Sequence, residues 1–257
     1  MDRPPVPADV SFLLEDLVPA LRDSLRERLL GLYLYGSAVF GDYDPGVSDV
    51  DLLAVLPSDL QQAEFEALET VHTGIAEAHT AWRDRVEVLY LSRHALATFR
   101  TERSPITVIS PGEPLNTKTA GIDWLMNWWL ILDHGVTLAG PPPDTFIAPV
   151  SIDEFITAVR DHAFSWGEWV KHLDTTKSHG YAILTLCRTL YTATHRAHVS
   201  KMRAAAWAAV RYPEWAGLIR AALAWRSAPP AKVPDPSTTL PLAGAFARFA
   251  IAELRAG

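Results

Sequence analysis

Two apolar runs, Leu32-Tyr33-Leu34-Tyr35 and Leu52-Leu53-Ala54-Val55-Leu56, enclose a polar stretch that opens with Gly36-Ser37 and closes with Ser48-Asp49-Val50-Asp51. The flanking runs read as strands, so the stretch between them is a turn between two strands. Alternate side chains of a strand point to opposite faces, which sends Asp49 and Asp51 to one side and Val50 and Leu52 to the other. Two carboxylates then meet at one edge, and keeping both ionised beside an apolar layer is costly unless a cation lies between them. Mg²⁺ suits such a pair. It takes hard oxygen ligands, keeps several waters and completes its octahedron with substrate phosphates. Upstream, Gly36 lets backbone approach a phosphate closely, and Ser37 stands at a helix start, where free N–H groups and a hydroxyl hold oxyanions. Ser48 offers a second hydroxyl. An Asp-x-Asp by itself is often a solvated strand edge, and Gly-Ser is weaker still. In this order and between two apolar strands they point to a metal and nucleotide site.

The string Tyr35-Gly36-Ser37-Ala38-Val39-Phe40-Gly41 … Ser48-Asp49-Val50-Asp51-Leu52-Leu53 resembles the signature of the polymerase-beta-type nucleotidyltransferase superfamily, in particular of bacterial streptomycin/spectinomycin adenylyltransferases. The resemblance implies a third carboxylate on a later strand. Arg85-Val86-Glu87-Val88-Leu89-Tyr90-Leu91 is a strand-like run with one acid, and Glu87 is the candidate. By resemblance it joins Asp49 and Asp51 in the metal set and takes the proton from the acceptor hydroxyl. Without the upstream motif, the same Glu87 reads as a surface acid paired with Arg85 or Arg83.

Two segments of the second half also resemble those enzymes: Leu184-Thr185-Leu186-Cys187-Arg188-Thr189-Leu190-Tyr191, and Ser200-Lys201 ahead of Ala205-Ala206-Trp207-Ala208. The resemblance implies that Arg188 and Lys201 clamp the triphosphate, an arginine as a planar fork and a lysine as a point charge. Taken alone, Arg188 could snorkel from a packed helix and Lys201 could be a first-turn surface residue. The chain departs from the family where the drug is held. An aromatic residue is expected after a Gly-Glu pair, but Gly112-Glu113 is followed by Pro114-Leu115, and Ser178-His179-Gly180 stands where an acid is expected. Replacement ligands for a cationic sugar are Glu113, Asp123, Trp124, Trp128, Trp166, Glu168 and Asp174, although most of the nine tryptophans read as helix-packing core.

A helix over Ala8 to Leu30, with Gly31 as its stop, feeds the first strand. A second helix, capped by Ser58 and running toward Ala78, lies between the Asp-Val-Asp strand and the Glu87 strand. Beyond about Pro111 only helices are expected, near 117–135, 152–175, 179–197, 200–211, 214–226 and 239–255, with a proline-rich exposed loop from Ala228 to Pro241. The expected fold is α+β, an N-terminal nucleotidyltransferase domain with a small mixed sheet (1–110) and a C-terminal all-α bundle (111–257). The boundary falls somewhere in 100–150.

A net charge of −7 argues against a nucleic-acid surface and suits a cationic small molecule. The single cysteine, Cys187, permits no intrachain disulfide and reads as a buried small hydrophobe, which agrees with a reducing cytoplasm. Met1-Asp2-Arg3-Pro4-Pro5 does not read as a secretory leader, and the apolar stretch around Trp128-Leu132 is too short for a membrane span. The nine histidines show no zinc-binding spacing. The resemblance implies an Mg²⁺-dependent nucleotidyltransferase that uses ATP as co-substrate and moves AMP to a hydroxyl of an aminoglycoside or aminocyclitol, and with the composition the expectation is a monomeric, cytoplasmic protein. Two alternatives stand beside it: a transferase acting on a protein or RNA, and a nucleotide-binding sensor without chemistry.

Overall fold

Val10, Leu13, Leu14, Leu17, Leu21 and Leu25 recur at helical spacing and form the buried stripe of helix α1 (Ala8–Leu25). A 3₁₀ turn at Arg26–Arg28 then leads into strand β1, Gly31–Tyr35, so Gly31 opens the strand and does not stop the helix. The computed structural model describes residues 5–41 and 43–256; the reading of Met1–Pro5 falls outside them except at Pro5. The chain divides into two units, Met1–Ser151 and Ile152–Gly257.

The first unit continues with α2 (Ser37–Phe40), β2 (Val50–Leu56), α3 (Gln62–Ala78), β3 (Val86–Ser92), α4 (Arg93–Thr98), β4 (Ser104–Ser110), β5 (Glu113–Ala120), α5 (Leu125–His134) and β6 (Val136–Ala139). Among the described residues these strands form one six-stranded sheet in the order β5-β4-β3-β2-β1-β6. Only β2 and β3 pair in parallel, and α3 supplies the crossover that a parallel pair requires. Helices α1 and α3 pack together, and their apolar stripes share a core with Leu32, Leu34, Leu52, Ala54, Val88 and Tyr90. By strand alternation Tyr35, Asp51 and Glu87 belong to the other face. Helix α3 is capped by Gln61 and Glu64 in a reciprocal capping box; Ser58, expected as the cap, instead accepts a hydrogen bond from Arg28.

Strands do not end near Pro111. The polar segment Glu113–Ala120 pairs antiparallel with β4, and Val136–Ala139 pairs with β1, so both sheet edges are built from residues assigned above to the helical half. The expected division at 110/111 therefore gives way to one at 151/152. The helix expected over 117–135 shortens to Leu125–His134 because its first residues are strand.

The second unit holds α6 (Ile152–Trp169), α7 (Thr176–His195), α8 (Lys201–Arg211), α9 (Ala216–Ser227) and α10 (Pro236–Ala256). Helix α7 packs against all four of the others and is buried nearly all round, from Ala182 through Cys187. Gly180 on α7 lets α9 come close, since a Cβ there would stand 3.1 Å from the Ala222 carbonyl oxygen. The exposed loop expected over Ala228 to Pro241 is shorter, because α10 begins at Pro236 and runs through Pro241.

Candidate active site at the β1–β2 turn

Strand β1 ends at Tyr35, and Gly36 turns the chain with φ 73° into the four-residue helix α2. This position requires glycine twice over. The left-handed φ disfavours any side chain, and a Cβ would stand 1.9 Å from Asp51 Oδ2 and 2.8 Å from its Cγ. The Asp51 carboxylate is thus pressed against the backbone of the turn, where the resemblance expects phosphate. The Ser37 hydroxyl is buried and has no hydrogen-bond partner among the described residues, so it is available to a phosphate oxygen. Ser48 is used differently. Its hydroxyl accepts the Asp44 N–H at 2.9 Å and closes the turn that precedes Asp49.

Antiparallel pairing sets Tyr35 opposite Asp51, and parallel pairing sets Asp51 opposite Glu87. One row across three strands therefore reads Tyr35, Asp51, Glu87, with Asp49 just ahead of β2. The Tyr35 hydroxyl donates to Glu87 Oε1 at 3.2 Å. Burial, followed by the charge of Asp49, pushes the Glu87 carboxyl up to about 7, although the Tyr35 hydrogen bond and the Lys118 ammonium pull it down. Burial and the charges of Glu87, Asp51 and Asp49 hold the Tyr35 phenol well above its usual range, so it stays a donor. Among the described residues no three His, Cys, Asp or Glu side chains are arranged to hold a metal ion. Two hard carboxylates, each half-buried, close to the Ser37 hydroxyl, nevertheless fit Mg²⁺, which needs only one or two carboxylates when phosphates supply the rest.

The site residues expected in the first half thus come together: Gly36 and Asp51 in contact, Ser37 next in the turn, Ser48 and Asp49 at the entry to β2, Glu87 across the strand. Tyr35 was missed as a partner of Glu87, since its role depends on a register that the motif does not encode. Arg85, read as a possible surface partner of Glu87, instead holds the Ser48 carbonyl. Arg188 and Lys201 lie in the second unit, on α7 and at the first residue of α8. The Arg188 charge, after burial, lowers the His162 imidazole below its usual range, and the Lys201 ammonium stands 3.9 Å from the Tyr181 ring centroid.

Several of the substitute acceptor ligands are engaged elsewhere. Glu113 pairs with Lys118, Asp123 with Arg103 and Glu168 with Lys171, while Trp128 and Trp166 are buried in packing. Trp124 is stacked on Trp128, and Asp174 is exposed.

With this geometry in view, two family descriptions match the chain: residues 18–96 match a nucleotidyltransferase domain, and residues 145–253 match the C-terminal domain of aminoglycoside adenylyltransferases. The chain is 28% identical over 224 residues to aminoglycoside (3'') (9) adenylyltransferases of Shigella flexneri and of Escherichia coli, covering 82% of this chain and 82% of each relative. It shares its fold with the crystal structure of a spectinomycin adenyltransferase from Enterococcus faecialis with ATP and spectinomycin. The TM-score is 0.77 at 17% identity, covering 95% of this chain and 99% of that one. Among the described residues no helix is long and apolar enough to cross a membrane.

Proposed function

We propose that this chain, which resembles nucleotidyltransferases in its first unit and aminoglycoside adenylyltransferases over most of its length, transfers AMP from ATP to a hydroxyl of an aminoglycoside or aminocyclitol, releasing pyrophosphate. The single observation that carries this reading is the row Tyr35, Asp51, Glu87 beside Asp49 and the Gly36-Ser37 turn.

Asp49 and Asp51 would hold Mg²⁺, which when bound neutralises charge on the phosphates and on the departing pyrophosphate. The Ser37 hydroxyl, buried and unpartnered, and the Gly36 backbone grip phosphate oxygens. Ser48 serves by closing the turn behind Asp49. Arg188 and Lys201 add positive charge to the triphosphate, a role taken from the resemblance. Glu87 accepts the proton of the acceptor hydroxyl as that oxygen bonds to the α-phosphorus. The bond from the α-phosphorus to the bridging oxygen breaks, and pyrophosphate leaves with the electron pair. A base whose pKa lies near the working pH is the efficient choice, and a value of about 7 meets that condition. Tyr35 keeps one carboxylate oxygen of Glu87 occupied and leaves the other for the substrate.

The net charge of −7 favours a cationic acceptor over a nucleic acid. The test is release of pyrophosphate when protein, ATP and Mg²⁺ are incubated with streptomycin, spectinomycin and related compounds. Release that depends on one of these acceptors is expected. ATP binding without release in the presence of any of them would favour a sensor.

A further inference from the structure

We propose that Arg85 is a positioning residue for Asp49, holding in place the carboxylate that would carry the metal; this rests on the reading of Asp49 as a metal ligand. Asp49 lies just ahead of the first residue of β2. The two peptide planes that meet at its Cα are both bound by one residue. The carbonyl of Ser48, in the plane before Asp49, accepts from Arg85 Nε at 3.1 Å and also from Arg85 Nη2. The N–H of Val50, in the plane after it, donates to the Arg85 carbonyl oxygen at 2.9 Å. Backbone rotation at Asp49 is thereby fixed from both sides, and with it the direction in which the carboxylate leaves the chain.

The guanidinium is itself held. Its Nη1 donates to the Ala81 carbonyl at 3.0 Å, and its central carbon lies 4.5 Å from the Trp82 ring centroid, with Trp82 buried in the core of the first unit. Among the described residues Arg85 forms no ion pair with a carboxylate; its charge is shared among the Ser48 and Ala81 carbonyls, the indole and the Tyr43 phenol, which it holds lower than burial alone would. A forked donor with a flat face suits this place: two N–H groups converge on one oxygen while the plane stacks on a ring. Lysine places its three N–H donors on a single nitrogen and cannot reproduce the planar fork. Ser48 is only 3% exposed, so a carbonyl left there without its donors would have little water to replace them.

The experiment measures Mn²⁺ binding by the protein in the presence of ATP, read from the enhancement of water-proton relaxation above that of Mn²⁺ and ATP without protein, for the wild-type chain and for R85M, R85K and D49N. Partners that orient a metal ligand typically contribute about 10- to 100-fold in metal affinity, and R85M is expected to lose that much. R85K should fall between R85M and wild type, and D49N should lose metal-dependent binding altogether. In the transfer assay the half-saturating Mg²⁺ concentration of R85M rises. A merely structural role would lower the melting temperature and leave the Mn²⁺ affinity of the folded fraction unchanged. Wild-type affinity in folded R85M overturns the proposal. Should R85M fail to fold, unchanged Mn²⁺ affinity in folded R85K overturns it instead. If the wild-type chain itself binds no Mn²⁺ with ATP, the metal reading of Asp49 fails and this proposal falls with it. If it binds Mn²⁺ but adenylylates no aminoglycoside or aminocyclitol, only the acceptor assignment fails.

Discussion

Gly36→Ala separates the site from the fold. The substitution places a side chain at φ 73° and ψ −152°, a region essentially reserved for glycine, which costs an L-residue about 1–3 kcal/mol. It also places a Cβ 1.9 Å from Asp51 Oδ2, where ordinary contact begins near 3.4 Å, so the difference, 1.5 Å, is the least the carboxylate must move. The displaced group is the end of a short side chain, so swinging it aside adds little to the backbone strain. For catalysis the same displacement is severe, since misplacing a reacting group by about 1 Å can cost about 100-fold, or about 2.7 kcal/mol of transition-state stabilisation. The account therefore expects G36A to remain folded, with a modestly lowered melting temperature, and to lose at least about 100-fold in kcat/KM for acceptor-dependent pyrophosphate release. A G36A protein that transfers at the wild-type rate would refute the reasoning. So would one that loses activity only because it unfolds.

Glu87→Gln is expected to keep MgATP binding and lower kcat by at least about 100-fold, while Asp49→Asn loses metal-dependent nucleotide binding itself; calorimetric titration beside turnover separates the two, and equal loss of binding in both would contradict the division of roles. Tyr35→Phe removes the hydrogen bond that pulls the Glu87 carboxyl down, so the acid limb of the pH–rate profile should move to higher pH; a shift to lower pH would contradict the donor role. His72, buried and hydrogen-bonded to Tyr90 at 2.7 Å, has its imidazole lowered by burial from 6.5 to about 4. The unfolded chain binds that proton first, so the stability His72 contributes is complete above pH 6.5 and is lost as pH falls toward 4. Between pH 7.5 and 4 the wild-type chain should lose about 3 kcal/mol more than His72→Gln in urea unfolding, and equal losses would refute the assignment.

The chemistry of the first unit was legible because strand alternation is a local rule. Asp49 and Asp51 had to share a side, and Glu87 alone interrupted an apolar strand with an acid. What was not legible depends on register and on edges. Tyr35 meets Glu87 only because two pairings, one antiparallel and one parallel, bring both residues level with Asp51. The contact of Asp51 with the Gly36 backbone belongs to the same row. Strand β5 escaped because it lies at the sheet edge and buries only Leu115 and Ala120, which leaves Glu113–Ala120 without the apolar run that identifies a strand. Strand β6 has four residues, too few to show a period. Those two elements moved the division between the units from 110/111 to 151/152. The helices of the second unit were easier, since apolar residues recur at helical spacing within each, and α8 and α9 stop just ahead of Pro213 and of Pro229-Pro230.

Mass spectrometry of the acceptor tests the central claim most directly. With protein, ATP and Mg²⁺, one of the streptomycin-type or spectinomycin-type compounds should gain a single adenylyl group, with one pyrophosphate formed for each acceptor modified and none by D49N. Bound nucleotide with every acceptor unmodified, or ATP turned over to ADP and phosphate, would contradict the account.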